Sequence, residues 1–218
     1  MAKGGNFENE ITVKLSLMWS NGEKKKMLRR KKLHEDADER ASVYQGGDLA
    51  VLDPDIAPLI HLFNLEMKTG YCSKKVSKKK KKEEDNKEVI RIHNWAIMDV
   101  LDGRTSAPIF LQMWGQSIRD AEETARIPLL IFRRNQRTPC IAMESGTFDT
   151  FSDYFGEFES PTICLQDNRG LDVIVLAFED FKKWAGTNLR GSVMDWADTR
   201  CVESFPNCPI KVKKHNPL

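Results

Sequence analysis

The feature that most constrains the fold of this chain is an amphipathic helix that leads directly into a short apolar strand. Residues 107–126 carry an apolar stripe at helical spacing, made of Phe110, Trp114, Ile118, Ala121 and Ala125. The segment PLLIFR follows at residues 128–133, and a turn signal at residues 135–138 bounds it. An apolar run this short is typical of a buried strand, which we therefore predict here.

The remaining apolar segments are also short, and they predict alternating helices and strands. Residues 7–19 form the first predicted helix, with a buried stripe of Phe7, Ile11, Leu15 and Met18. Residues 48–52 and 59–68 are predicted to be the strands of a hairpin, because Pro and Asp favour a turn at residues 53–58. The later predicted elements are a strand at 140–143 that pairs with 128–133, a strand at 171–178 and a short helix at 179–184.

Composition excludes several classes of protein. The 218 residues suffice for one domain, or for one domain with a small extension. No apolar run approaches the roughly 20 residues of a membrane helix, and residues 1–5 lack the apolar core of a signal peptide, so we expect a cytoplasmic protein. The five cysteines are scattered without a Cys-x-x-Cys pair, which argues against a zinc cluster and a disulfide framework.

Positive charge is concentrated in two segments, although the net charge is only +2. Residues 24–32 are KKKMLRRKK and residues 74–82 are KKVSKKKKK. Local potential matters more to a polyanion than net charge, so both segments are candidates for phosphate binding. An exposed, solvated loop explains a lysine run equally well. The residues that we predict to contact nucleic acid are Arg29, Arg30, Lys31, Lys78, Lys79 and Lys80.

Glu66-Met67-Lys68 is the motif that points to chemistry. Side chains two apart on a strand share a face, so the Glu66 carboxylate can hold a hard divalent cation while Lys68 stabilises or orients an attacking water. Glu-x-Lys is common by chance, and the alternative is a solvent-facing ion pair. The position of the motif at the end of an apolar strand, with another acid opposite, favours the catalytic interpretation.

Asp48 is the acid that the predicted hairpin places opposite Glu66, because the turn is centred near Ala57. Asp55 would lie in the turn, roughly 25 Å from Glu66 at about 3.3 Å per residue, with its side chain bonding local backbone N–H groups. Two ligands of one Mg²⁺ must both lie within about 2.1 Å of it, so geometry favours Asp48. The glycines at 46–47 would leave room there for a phosphate backbone.

A further acid can come from the first helix. Glu8 lies about 60° from Ile11 on the helical wheel, and Glu10 lies about 100° away on the other side, at about 100° per residue. Glu8 is therefore the better placed of the two to face inward. A surface carboxylate near a helix N-terminus is the alternative.

These residues, in this order, resemble those of the PD-(D/E)xK endonucleases, and among them the Holliday-junction-resolvase-like proteins often encoded by phages. The order of Glu, then Asp, then Glu-x-Lys is that of the archaeal-type resolvases. The resemblance covers roughly residues 4–143, and its matching segments are FENEI at 7–11, GDLA at 47–50, DP at 53–54, LEMKTGY at 65–71 and residues 114–133. The acidic segment between residues 31 and 45 departs from those relatives.

The resemblance implies an α/β fold with a restriction-endonuclease-like core, a mixed β-sheet flanked by helices in α-β-β-β-α-β order. Residues 1–146 would form this nuclease core, with a lysine-rich insertion near residues 72–91. Residues 147–218 would form a C-terminal extension that packs on the core.

The resemblance also implies a Mg²⁺-dependent DNA phosphodiesterase, with Mn²⁺ as a substitute. Carried over by position, Glu8, Asp48 and Glu66 are the acids, Lys68 is the catalytic lysine, and Asp48 and Glu66 hold the metal. The implied substrate is branched or Holliday-junction DNA, which a homodimer would cut on two strands in the host cytoplasm if the protein is phage-encoded.

Three alternatives compete with this prediction. The first is a nuclease of the same fold that acts on flaps or single-stranded DNA. The second is a catalytically inert nucleic-acid-binding protein of the same fold, against which the intact set of Asp48, Glu66 and Lys68 argues. The third is a His-Asn-His nuclease through His93-Asn94, which lacks a second histidine at a suitable distance.

Overall fold

The computed structural model of the chain describes residues 3–31, 45–70, 108–134, 137–168 and 170–204. The predicted insertion at residues 72–91, with Lys78, Lys79 and Lys80, lies outside the described residues, and so does His93. None of the helices in the described segments is long and apolar enough to cross a membrane.

The described elements are six helices and eight strands, mixed along the chain. The helices are α1 (Lys3–Trp19), α2 (Ala57–Leu62), α3 (Ile109–Glu123), α4 (Ser145–Phe155), α5 (Phe178–Ala185) and α6 (Leu189–Ser204), with a 3₁₀ turn at Pro54–Ile56. The strands are β1 (Leu28–Arg30), β2 (Gln45–Gly46), β3 (Leu49–Val51), β4 (Phe63–Gly70), β5 (Ile127–Arg134), β6 (Cys140–Met143), β7 (Thr162–Gln166) and β8 (Asp172–Ala177).

A five-stranded mixed sheet in the order β4-β5-β6-β8-β7 forms the centre of the fold. β4 and β5 are parallel, as expected for strands joined by a crossover helix, and the other pairs are antiparallel. β1, β3 and β2 form a separate small antiparallel sheet. The predicted α/β class, a mixed sheet flanked by helices, is confirmed. The predicted division into a core of residues 1–146 and an extension of residues 147–218 stays a prediction.

The two faces of the large sheet are covered by different helices. On one face, Leu65, Met67, Leu129 and Ile131 share a core cluster with the α1 residues Phe7, Ile11 and Leu15, which confirms the predicted stripe of the first helix. On the other face, Leu130 and Phe132 of β5 pack with the α3 residues Phe110, Met113 and Trp114. Ala125, assigned to the α3 stripe from its spacing, is exposed because the helix ends at Glu123.

The predicted hairpin around Ala57 is wrong. The 3₁₀ turn and α2 occupy residues 54–62, and the returning strand begins at Phe63 rather than at residue 59. Two features favour the helical conformation here. Each helical segment has a proline in its first turn, and the side chain of Asp53 accepts a hydrogen bond from the Asp55 N–H at 3.1 Å. The strand that precedes the turn, β3, pairs with β1 and β2 instead of with β4.

Candidate active site

β4 carries Glu66 and Lys68, the two functional residues of the predicted Glu-x-Lys motif. Glu66 and Lys68 pair with Leu130 and Phe132 of β5, so both lie on the face that α3 covers. Glu66 is only 5% exposed, and its Oε1 accepts a hydrogen bond from Lys68 Nζ at 2.5 Å. Glu66 and Lys68 therefore form a part-buried contact, which differs from the solvent-facing ion pair that was the alternative.

Asp48 lies against the edge of β4, beside Glu66. Its backbone N–H donates to Leu65 O at 2.9 Å, and its Oδ2 accepts from the Met67 N–H at 2.6 Å. These two bonds fix the backbone and the side chain of Asp48 on either side of Glu66. The structure thus brings Asp48 and Glu66 together as predicted, although through an edge contact and not through a hairpin.

Gly47 makes this edge contact sterically possible. Its φ is +62°, and a Cβ built on it would overlap Leu65 O and lie 2.6 Å from Leu65 C. The space beside the glycine is therefore filled by the backbone of β4. The expectation that this glycine leaves room for a phosphate backbone is wrong.

Asp55 takes no part in this arrangement. Its carboxylate pairs with Arg190 of α6 at 2.6 Å, and its carbonyl accepts from Trp19 Nε1 at 3.1 Å. The side chain that bonds the local backbone of the turn belongs to Asp53, so the turn role predicted for Asp55 is wrong.

Glu8 approaches the same region from α1. Its side chain is 13% exposed and forms an ion pair with Arg30 of β1. Arg30 pairs with Leu49 in the β1–β3 ladder, and the next residue, Lys31, donates its N–H to Asp48 O at 2.8 Å. Glu10, which spacing placed on the other side of the helix, pairs instead with Lys14 and Arg133.

The first basic segment is part of the fold as well as a source of charge. Met27 and Leu28 are buried, which anchors β1 against α1, and Arg29 and Lys31 are half-buried beside it. Arg30 and the Glu8 carboxylate thus stand close to Asp48. The placement of Lys78, Lys79 and Lys80, which lie outside the described residues, stays a prediction.

Burial and mutual repulsion disfavour the ionised form of the clustered acids. Desolvation raises the pKa of Glu66, and the nearby Asp48 carboxylate raises that pKa further, while Lys68 acts against both effects. The pKa of Asp48 is raised mainly by desolvation, against the hydrogen bond from Met67. Desolvation also raises the pKa of Glu8, which Arg30 opposes. Carboxylates that repel one another in a part-buried site favour the approach of a cation.

Asp120 is an acid near this site to which no role was assigned from its position in the sequence. Its charge raises the pKa of both Asp48 and Glu66, which places it within electrostatic reach of the pair. It stands on α3, one turn after Gln116, whose Nε2 lies 3.4 Å from its Oδ2. Two sequence signals could have found it: Gln116 and Asp120 form a polar pair four residues apart beside the apolar stripe, and both lie in the segment 114–133 on which the resemblance rests.

The donor set fits a divalent cation that keeps part of its hydration shell. Among the described residues, no group of three or more His, Cys, Asp or Glu side chains is arranged to hold a metal ion. Asp48 and Glu66 would therefore supply two carboxylates, with water and phosphate oxygens completing the shell. Mg²⁺ is commonly bound in this way in phosphate-processing sites.

Glu66→Gln should stabilise the metal-free protein at neutral pH. The raised pKa of Glu66 means that folding disfavours its ionised form, so the wild type loses stability as pH rises through the folded-state pKa, and Gln removes that loss. Each kcal/mol gained raises the Tm of a chain of this size by about 2–4 °C. Thermal unfolding in chelator between pH 4 and 8 would measure the difference, which should shrink towards acid pH.

Glu179→Gln is the matched control for this prediction. Its hydrogen bond with Lys14 lowers the pKa of Glu179, so the same substitution there should lower stability at neutral pH. A Glu66→Gln protein that is less stable than the wild type at pH 7 in chelator would contradict the electrostatic description of the site.

A family described as "Phage putative PDDEXK endonuclease" matches residues 1–190, which include every described residue of the site. No curated protein and no solved structure matches the chain.

Proposed function

The chain belongs to the phage putative PDDEXK endonuclease family, and from this premise we propose that it is a divalent-metal-dependent endonuclease that hydrolyses phosphodiester bonds in DNA. One observation carries the proposal: Asp48 is held on the edge of β4 beside Glu66, with Lys68 on the same strand face as Glu66. Mg²⁺ is the proposed cofactor, and Mn²⁺ its substitute.

The residues have separate roles in the proposed reaction. A bound divalent cation would lower the pKa of a water molecule and neutralise charge on the phosphate. Asp48 and Glu66 would hold that cation, and Lys68 would orient the attacking water or stabilise the charge that develops on the phosphate. Glu8 would assist as a further acid, and Arg30, held by Glu8 and 46% exposed, would bind a phosphate oxygen.

The proposed substrate is branched DNA, in particular a Holliday junction, cut by a homodimer in the host cytoplasm. Incubating the protein with four-way junction, flap, single-stranded and linear duplex DNA, with Mg²⁺ or with chelator, tests the activity and the preference together. Lys68→Ala serves as the inactive control. Failure to cut any of these substrates in Mg²⁺ or Mn²⁺ would refute the enzymatic proposal and favour an inert DNA-binding protein.

The second basic segment should add affinity and leave the chemistry unchanged. Replacing Lys78–Lys82 with glutamine should weaken DNA binding and reduce the slope of log K against log salt by about 0.9 for each lost phosphate contact. Lys182→Gln with Lys183→Gln is the control, since those lysines pair with acids on α5. DNA binding measured across a salt series distinguishes the Lys78–Lys82 variant from the control. An unchanged slope in the Lys78–Lys82 variant would mean that this segment is a solvated loop that does not contact DNA.

A further inference from the structure

Three buried hydrogen-bonding side chains lie where α3 packs on the sheet, next to the candidate active site. Asn64 is 2% exposed, Trp114 is 1% exposed and Ser117 is fully buried. Within the described part of the chain, Asn64 Nδ2, Trp114 Nε1 and Ser117 Oγ have no hydrogen-bond partner. A buried donor without a partner is strongly unfavourable, and proteins commonly satisfy such groups with an internal water.

These donors share one interface with Glu66. Asn64 precedes Glu66 by two residues on β4 and therefore lies on the same strand face. Trp114 belongs to the same core cluster as Leu130, the β5 partner of Glu66, and Ser117 follows Trp114 by one helical turn on the same buried stripe. The interface between β4 and α3 thus holds unpartnered donors immediately behind the proposed metal-binding carboxylate.

We propose that Asn64 and Ser117 are positioning residues that, with Trp114, bind one internal water and through it hold the Glu66 carboxylate in place for a divalent cation. Same-face neighbours on a strand have Cα atoms about 6.6 Å apart, and one water spans up to about 5.6 Å with two hydrogen bonds of about 2.8 Å each, so the polar ends of the Asn64 and Glu66 side chains need to lean only about 1 Å towards each other to share it. The water accepts from Asn64 Nδ2 and Trp114 Nε1 and donates to the Glu66 carboxylate and to Ser117 Oγ, a hydroxyl oxygen that can accept a hydrogen bond as well as donate one. All four of its hydrogen bonds are then used.

The inference rests on the proposed function, because it concerns how Glu66 binds a metal. Groups that hold a metal ligand in place typically change metal affinity by about 10–100-fold when they are removed. Asn64→Leu removes the donor at similar volume, and Ser117→Ala removes the hydroxyl with a residue that favours helix. Each substitution should weaken Mn²⁺ binding at least about tenfold. The double variant should bind Mn²⁺ with nearly the same affinity as the single variant that binds it less tightly, because both substitutions remove the same water.

Calorimetric titration with Mn²⁺ tests this directly, and cleavage assays at low and high Mn²⁺ provide the second readout. Lost cleavage should return at high Mn²⁺ if the defect lies in metal affinity. Ser192→Ala, the same change at a buried helical serine of α6, should bind Mn²⁺ like the wild type, whereas Asp48→Asn should not bind it.

Wild-type affinity in both Asn64→Leu and Ser117→Ala would overturn the inference and leave the proposed function standing. If Asn64→Leu does not fold, Ser117→Ala decides the question by itself. A wild-type protein that binds no Mn²⁺ would overturn the proposed function and this inference together.

Discussion

Asp48→Asn is expected to leave a folded protein that no longer cuts DNA in the presence of Mg²⁺. Asparagine keeps a side-chain oxygen that can accept the Met67 N–H, so the contact with β4 survives. The negative charge that would hold the cation is lost. We expect cleavage to fall by at least the ~10²–10³ that loss of one electrostatic group in an active site typically causes. Single-turnover cleavage and the circular dichroism spectrum measure the two effects.

Asp55→Asn is the control that makes this prediction specific. Asp55 follows the proline that gives the literal Pro-Asp pair, yet its carboxylate forms a partly exposed ion pair with Arg190. Exposed pairs contribute about 0–1 kcal/mol, so the variant should be nearly as stable as the wild type and should cut at a similar rate. Loss of cleavage in Asp55→Asn with normal cleavage in Asp48→Asn would reverse the assignment of the metal ligand.

Periodicity predicted the elements whose burial leaves a pattern in the sequence. α1 and α3 have apolar stripes, and β5 and β6 are short apolar runs bounded by turn residues, so all four were predictable. The helix α2 was not, because a run such as Ile56–Leu62 has the same apolar composition as a buried strand and periodicity cannot separate the two over so few residues. β7 was missed because most of its side chains are exposed and leave no apolar signature.

The site was predictable to the extent that it depends on strand geometry. Glu66 and Lys68 share a face because side chains alternate along any strand. Asp48 was predicted to lie beside Glu66 because of a hairpin that the chain does not form. The two residues are nevertheless neighbours, because the chain before β3 runs along the edge of β4. Asp120 could not be assigned, since its position depends on how α3 packs across the sheet.

The edge contact makes Gly47 the residue on which the geometry of Asp48 depends most. A side chain there would overlap the carbonyl of Leu65, the acceptor of the Asp48 N–H bond. The backbone at Gly47 is also in the left-handed region, with φ at +62°, which disfavours any residue with a Cβ. Neither difficulty can be relieved by rotating a side chain, because the overlapping atoms belong to the backbone of a strand in the central sheet.

Gly47→Ala should therefore impair both stability and cleavage. The left-handed conformation costs about 1–3 kcal/mol and the overlap with β4 about 1–3 kcal/mol more, and separation of Asp48 from β4 should remove cleavage in the fraction that still folds. Gly22→Ala is the matched control, because Gly22 has a φ of +92° with no atom within 4 Å of an added Cβ. It should show only the conformational part of the loss and should cut normally. Urea unfolding and cleavage assays on both variants measure the difference, and equal losses of stability would mean that close packing against Leu65 does not hold Asp48 in place.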